Sequence, residues 1–312
     1  MNIIKKIFRP YLKKYDFYLK KKFETLKIQN AKNFFFNLEL NLENINDIDQ
    51  ANYKVFSQNG EDGIIQYLIK TLKLNYIKFV EIGTEDYSES NTRYIFQTMR
   101  CDGLIIDPLK NLETLVKKNI PTFWKNNLKI INKFATPENI NSLLDNSNFH
   151  NDIDLFSLDI DGIDYWIIKK LKKNISKIFV AEYNPYFGPD LEITVPNINN
   201  FDRTSYHYSN LCWGVSLKSL IKIMVEKNYT FVGSSDLRNN AFFVSNDHID
   251  KIKFKKPNLE NLIEFTNATY RESRDQIGNL TFIEPKKILY EIKDCEVIDL
   301  KRDKLVKIRE LL

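Results

Sequence analysis

Apolar and polar positions along this chain repeat a pattern: a short apolar run, then a stretch with apolar residues three and four apart. From Ser57 onward the spacing predicts helices over residues 60–74, 90–99, 109–118, 137–144 and 164–171. It predicts strands over residues 78–82, 103–106, 128–131, 153–158 and 177–181. Pro137 is well placed to open its helix. Short buried strands separated by single helices call for a parallel sheet, because each crossover has to travel back over one face. After a proline-containing stretch from 185 to 208, a helix is expected over 216–227 and strands over 229–233 and 241–245. The short linker between these two strands suits a hairpin, which sets the seventh strand antiparallel to the rest. The chain thus reads as an α/β, doubly wound seven-stranded sheet over residues 51–250, with a basic helical extension over 1–50 and a C-terminal extension over 251–312. The latter has weak periodicity and suggests no role.

The first segment places Ile4, Phe8, Tyr11, Tyr15 and Tyr18 at helical spacing among Lys5, Lys6, Arg9, Lys13, Lys14, Lys20, Lys21 and Lys22. This is a basic amphipathic helix, with Pro10 as a point of interruption. Its apolar stripe is expected to pack on its own domain; the alternative is a weak contact with a membrane surface or a partner helix. No run is long enough to span a bilayer and no signal-like core is followed by a small-residue cleavage site. Over 312 residues, 46 Lys and Arg against 41 Asp and Glu give +5, too mild and interspersed to indicate a nucleic-acid partner. Hydrophobic residues at 43% and charged residues at 28% exclude wholesale disorder and a polytopic membrane protein. Cys101, Cys212 and Cys295 lie far apart in sequence and their odd number suits no disulfide framework, so the expected compartment is the cytoplasm, at most peripheral to the inner membrane.

In an open parallel sheet the ligand sits beyond the carboxyl ends of the strands, so residues just past each strand carry most weight. After the first strand, Gly83 allows a close backbone approach and Glu81 could accept from an ammonium group. Asp107, at the end of the second, could take both hydroxyls of a ribose or cap the helix after Pro108; the sequence leaves both open. The fourth strand runs into Asp159, Ile160, Asp161, Gly162, Ile163 and Asp164, and the fifth into Glu182, Tyr183 and Asn184. Asp159, Asp161, Glu182 and Asn184 offer oxygen ligands of the kind Mg²⁺ or another hard divalent cation prefers. The alternative is that Asp164 caps a helix, Glu182 pairs with a Lys or Arg, and Asn184 makes a turn. His207, in a polar and aromatic loop expected to overhang the same edge, could deprotonate a hydroxyl. Trp124, Trp166 and Trp213 read as core or substrate-wall residues, with Trp213 the one placed to touch a ligand.

Several ordered blocks resemble the FkbM-type methyltransferases and their bacterial relatives. They are Ser57-Gln58-Asn59-Gly60-Glu61-Asp62, Phe79-Val80-Glu81-Ile82-Gly83 through Asn91-Thr92, Leu158-Asp159-Ile160-Asp161-Gly162, and Glu182-Tyr183-Asn184-Pro185. His207-Tyr208-Ser209-Asn210 and Asn240-Ala241-Phe242-Phe243-Val244 continue the series, so the resemblance runs from about Val55 to Asp247. Seven strands with a terminal hairpin are likewise the arrangement of the class I methyltransferases, by analogy of topology.

The resemblance implies an S-adenosylmethionine-dependent transferase, usually acting on oxygen, in glycan or natural-product biosynthesis, with a small-molecule or glycan acceptor. Carried over, Glu81, Gly83 and Thr84 would border the methionine part of the cofactor, Asp107 the ribose, and Ala135 and Thr136 the adenine. Asn91 would also face the cofactor, Asp159 would close the methyl-donor side, and Gln58, Glu61 and Asp62 would close the pocket. Asp159 and Asp161 are the first candidates for metal binding or base work and His207 the second base. One departure is clear: many methyltransferases carry a second glycine where this chain has Glu85. Two rivals remain, a metal-dependent glycosyltransferase using Asp159 and Asp161, and a non-catalytic binding protein that keeps the fold.

Overall fold

The computed structural model of the chain describes residues 2–120, 126–269 and 271–312; Trp124 lies outside them. In chain order the elements are α1 (Asn2–Leu40), α2 (Glu61–Thr71), β1 (Ile77–Ile82), α3 (Arg93–Thr98), β2 (Cys101–Ile106), α4 (Leu112–Asn119), β3 (Asn127–Ile131), α5 (Ile140–Asn146), β4 (Ile153–Leu158), α6 (Asp164–Lys170) and β5 (Ser176–Glu182). There follow β6 (Ile193–Thr194), α7 (Arg203–Tyr206), α8 (Leu217–Glu226), β7 (Tyr229–Ser234), β8 (Asn240–Ser245), α9 (Ile263–Thr266), β9 (Ser273–Arg274), β10 (Leu280–Thr281), α10 (Pro285–Glu291), β11 (Glu296–Asp299) and β12 (Lys304–Lys307).

Seven strands form one sheet in the order β3-β2-β1-β4-β5-β8-β7. The pairs from β3 through β5 are parallel, and β8 is antiparallel to both β5 and β7, as the hairpin expectation required. The strands are apolar on both faces because helices cover both. Phe79, Ile105, Leu155 and Val180 point into a core shared with α1 to α4. Their neighbours Val80, Ile106, Phe156 and Phe179 point into a second core under α5, α6 and α8. Successive side chains of a strand alternate between faces, which is why two cores share one sheet.

Three helices start later than their spacing suggests, each for a local reason; residues 109–111 stay outside α4, where Asp107 Oδ1 accepts from the Leu109 N–H. Residues 90–92 are held out of α3 by the Glu81 carboxylate, which accepts from the Ser90 hydroxyl and the backbone N–H groups of Asn91 and Thr92. Pro137 opens a turn rather than α5, because the Asn139 side chain accepts from the Thr136 N–H and donates to the Phe134 carbonyl.

Helix α1 is continuous through Pro10, contrary to the expected interruption. Its C-terminal half docks through Ala31, Phe35 and Leu38, and through an ion pair at 2.9 Å between Glu24 and the buried Arg93. The expectation that the stripe of Tyr11, Tyr15 and Tyr18 packs on its own domain fails, since all three are exposed. The C-terminal extension builds a satellite layer instead of trailing off. Strands β11 and β12 join β6 in a three-stranded sheet, over a third apolar cluster that includes Phe187, Val195, Ile288 and Val297.

Candidate active site at the carboxyl edge of the sheet

The strand order reverses between β1 and β4, and the crevice outside their carboxyl ends is where this architecture binds ligands. A cavity of about 330 Å³ opens there, within the usual size range for small-molecule sites. Of the residues singled out from sequence, Gln58, Glu81, Gly83, Thr84, Asn91, Asp107, Ala135, Thr136, Asp159, Asp161 and Glu182 line it. Gly83 and Asp107 therefore face one hollow.

Gly83 follows β1 with φ of +84°, and a Cβ there would lie 1.6 Å from the Asp159 carbonyl oxygen. The close approach that requires glycine is thus to the backbone leaving β4, which brings the β1 and β4 loops together. Glu85, where many methyltransferases have the second glycine, takes a left-handed backbone with φ of +45°. The turn shape survives the substitution at the cost that a non-glycine residue incurs there.

The buried carboxylate of Asp107 fixes this turn. Its Oδ2 accepts from the N–H groups of Thr84 at 2.9 Å and Glu85 at 2.8 Å, and its Oδ1 from that of Leu109 at 2.8 Å. A carboxylate has about four acceptor positions, so three are taken and one is left, too few for the expected grip on both hydroxyls of a ribose. Glu81 is similarly engaged: besides Ser90, Asn91 and the Thr92 N–H, it accepts from the Thr92 hydroxyl. Burial raises its pKa, while these donors oppose the rise. Both acids organise the loops that wall the cavity.

The other side is built from the ends of β4 and β5. Carboxylate oxygens of Asp159, Asp161 and Glu182 lie within 4.8 Å of one another, a spacing that suits a shared cation. Removal from water, reinforced by the Asp161 charge, pushes the Asp159 carboxyl up to about 8. Burial, then the charges of Asp159 and Asp161, hold Glu182 well above the usual carboxylate range. Glu182 Oε2 is buried without a hydrogen-bond partner. Directly opposite in the β5–β8 ladder, Asn240 has its Oδ1 buried and unpartnered too, while its Nδ2 donates to Glu61 at 3.1 Å. Two orphaned acceptors facing one edge are costly unless a cation or donor meets them.

Arginines that the sequence reading did not single out temper the cluster. Arg203 donates to Asp161 at 2.5 Å, and Arg271 lies 3.7 Å from Asp161 and 4.0 Å from Glu182. Arg271, from the C-terminal extension, rests its guanidinium over the Trp213 ring at 4.8 Å. Glu182 thus has the arginine neighbour that the structural alternative foresaw, yet keeps one oxygen free.

Several expected site residues lie elsewhere. The Glu61 carboxylate accepts from the N–H groups of Asn59 and Gly60, and Asp62 Oδ2 accepts from those of Val55, Phe56 and Ser57. They shape the 55–60 loop and do not line the cavity. Asn184 is no ligand, because its amide donates to the Leu211 and Trp213 carbonyls and accepts from the Tyr186 N–H, making the foreseen turn. Asp164 accepts from the N–H groups of Ile160 and Gly162 and so folds the loop before α6. His207 stands away from the cavity: its Nδ1 pairs with the Ser209 hydroxyl at 2.7 Å, its ring lies against Tyr208, and burial lowers its pKa. Trp213 is fully buried beneath Arg271 and lines nothing.

No protein-family model matches this sequence, and no curated protein matches it. Fourteen chains among solved structures do. One is the cyclopropane synthase MmaA2 from Mycobacterium tuberculosis, with TM-score 0.35 and 9% identity over 63% of this chain and 75% of that one. The small RNA methyltransferase HEN1 gives TM-score 0.35 and 8% identity over 61% of this chain and 25% of that one. An antibiotic related methyltransferase gives TM-score 0.31 and 12% identity over 62% and 96%. Likenesses this distant carry no argument about activity; the strand order and directions carry the fold.

The strand order and directions are those expected from the sequence, a class I methyltransferase-like sheet. The cavity carries seven acidic side chains, Glu81, Glu85, Glu89, Asp107, Asp159, Asp161 and Glu182, against the guanidiniums of Arg203 and Arg271, with Asp159 and Glu182 fully charged only when a cation meets them. Its field favours a cationic ligand. Among the described residues no helix is long and apolar enough to cross a membrane.

Proposed function

We propose that this chain is an S-adenosylmethionine-dependent methyltransferase of the FkbM type, acting on an oxygen of a sugar or other small hydroxylated acceptor in glycan or natural-product biosynthesis. The observation that carries the reading is the shared cavity of Gly83 and Asp107 at the sheet's switch point, lined by an excess of carboxylates. S-adenosylmethionine, when bound, supplies an electrophilic methyl on a sulfonium. Asp107 Oδ1 retains one position for a ribose hydroxyl, Ala135 and Thr136 border the adenine side, and the acids of β4 and β5 offset the positive charge.

A second cavity of about 250 Å³ adjoins the first, sharing Gln58 and Arg271 with it. Its amides and hydroxyls, from Asn59, Tyr186, Asn239 and Thr269, suit a hydroxylated acceptor. An alcohol is a poor nucleophile at neutral pH and needs a proton acceptor or a nearby cation. Asp159 is the group we assign to take that proton, in its ionised form: its raised pKa leaves it largely protonated near neutral pH until a positive charge, that of the sulfonium or of a divalent cation, draws the pKa down. A hard divalent cation would be held by Asp159, Asp161 and Glu182, with Asn240 Oδ1 in the place that sequence gave to Asn184; when bound it would lower the pKa of the acceptor hydroxyl.

The glycosyltransferase alternative fits the cavity less well, because a nucleotide diphosphate would set its anionic phosphates among seven acidic side chains and two arginines. Calorimetry separates these readings. Saturable binding of S-adenosylmethionine, and none of nucleotide-sugars, is expected. The reverse pattern would overturn the proposal, and binding with no methyl transfer to any hydroxylated acceptor would favour the non-catalytic reading. Asp161→Asn should weaken Mn²⁺ binding, followed by electron paramagnetic resonance, by about tenfold or more, and S-adenosylmethionine binding by much less, because Arg203 and Arg271 already meet the Asp161 charge. Equal Mn²⁺ affinity would remove the cation from the account.

A further inference from the structure

Helix α1 has two unrelated faces. Ala31, Phe35 and Leu38 are buried against the domain. Tyr11, Tyr15 and Tyr18 each precede one of them by twenty residues, roughly five and a half turns at 3.6 residues per turn, and so lie on the opposite side of the helix. They are 71%, 59% and 51% exposed, with Leu12 beside them at 59%. The stripe that makes this helix amphipathic therefore faces away from the body that the same helix is fastened to. Among the described residues only the Lys22 ammonium, 5.0 Å over the Tyr18 ring, lies against it.

Charge identifies what does. Residues 1–22 hold eight Lys and Arg and one Asp, a charge of +7 in a chain whose total is +5, so residues 23–312 sum to −2. All of the net positive charge thus belongs to the arm that carries the uncovered aromatic stripe. A second copy of the chain would set +7 against +7, and a polyanion such as nucleic acid leaves the apolar stripe without a role. Tyrosine rings flanked by lysines are the side chains that settle where hydrocarbon meets headgroups.

We propose that the N-terminal half of α1 is a docking surface for an anionic lipid bilayer, lying in the headgroup layer with Tyr11, Leu12, Tyr15 and Tyr18 inserted and its lysines on the phosphates. The ion pairs of the other half, Glu24 with Arg93 and Glu39 with Lys70, keep the domain at a fixed attitude to that surface. This proposal is independent of the reaction assigned above.

The test is sedimentation of the full chain with vesicles of phosphatidylcholine alone and of phosphatidylcholine with 30% phosphatidylglycerol. Binding is expected to be at least tenfold stronger to the anionic vesicles and to weaken as salt is raised from about 50 to 500 mM. Two variants divide the contributions: Lys14, Lys20 and Lys22 all changed to Gln, and Tyr11, Tyr15 and Tyr18 all changed to Ser. Each should lose at least fivefold in affinity while its thermal unfolding stays that of the parent, since every altered side chain is exposed. Equal binding to both vesicle types, no binding at low salt, or parent affinity in both variants would overturn the proposal. Concentration-dependent dimerisation abolished by the tyrosine changes would overturn it in favour of a second copy.

Discussion

Gly83→Ala is expected to destabilise the protein by at least about 3 kcal/mol, through overpacking and the strain of a side chain at positive φ. The added carbon would sit 1.6 Å from the Asp159 carbonyl oxygen and 2.6 Å from its carbon, and these are backbone atoms of a strand end that cannot turn aside. Relief requires parting the exits of β1 and β4, where Asp159 N–H donates to the Ile82 carbonyl at 3.0 Å. That would also open the floor of the cavity, so S-adenosylmethionine affinity should fall with stability. Urea unfolding gives the first quantity and calorimetry the second. A change below about 1 kcal/mol would show that the two strand exits are not in this contact.

Asp107→Ala should have the second largest effect, and for a reason that differs from the expected ribose contact. Three backbone N–H groups lose their acceptor, that of Thr84 buried and those of Glu85 and Leu109 partly buried. At about 1–3 kcal/mol for the buried donor left without a partner, and less for the two that water can reach, a loss of roughly 2–4 kcal/mol is expected. Cofactor affinity should drop roughly 10- to 100-fold because the turn and the remaining Oδ1 position go together. Asp107→Asn, which keeps one oxygen for the Thr84 and Glu85 N–H groups, should recover much of the stability and less of the affinity. Parent-like stability and affinity in the alanine variant would refute both roles.

The sheet was legible in the sequence because its strands are buried on both faces. Ile153–Leu158 reads as an unbroken apolar run apart from Asp154 and Ser157, and nothing else in its surroundings needs to be known to place it. The helices expected from residues 90, 109 and 137 start later because their first turns depend on where side chains from other positions send their hydrogen bonds. The same limit applies to the site. That Asp107 and Glu81 end strands could be read, but that backbone donors converge on them and fill most of their acceptor positions could not. Asn240 lines the cavity and Asn184 does not for a related reason. Once β8 runs antiparallel to β5, its first residue stands at the same edge as the last of β5, so Asn240 was open to inference from the predicted hairpin. Arg271 was not, since it arrives from an extension whose periodicity predicts nothing and whose flanks are held by distant residues, the Tyr186 hydroxyl donating to the Thr269 carbonyl and the Arg274 N–H to that of Ser209.

His207 shows how proximity in a loop misleads. Arg203, four residues earlier, does reach the cavity, whereas the short helix α7 ends at Tyr206 and the chain turns toward α10, leaving the imidazole with Ser209 and Tyr208. Base work in this account rests with the β4 and β5 carboxylates.

The central claim is that an adenosyl sulfonium occupies the hollow between the β1, β2 and β4 exits, and a crystal structure of the protein grown with S-adenosylmethionine tests it most directly. The account predicts electron density there, with a ribose hydroxyl donating to Asp107 Oδ1, the adenine beside Ala135 and Thr136, and the methyl directed toward Asp159 and the neighbouring cavity. A hollow that stays free of the cofactor at saturating concentration, or a cofactor bound at any other place on the molecule, would contradict it.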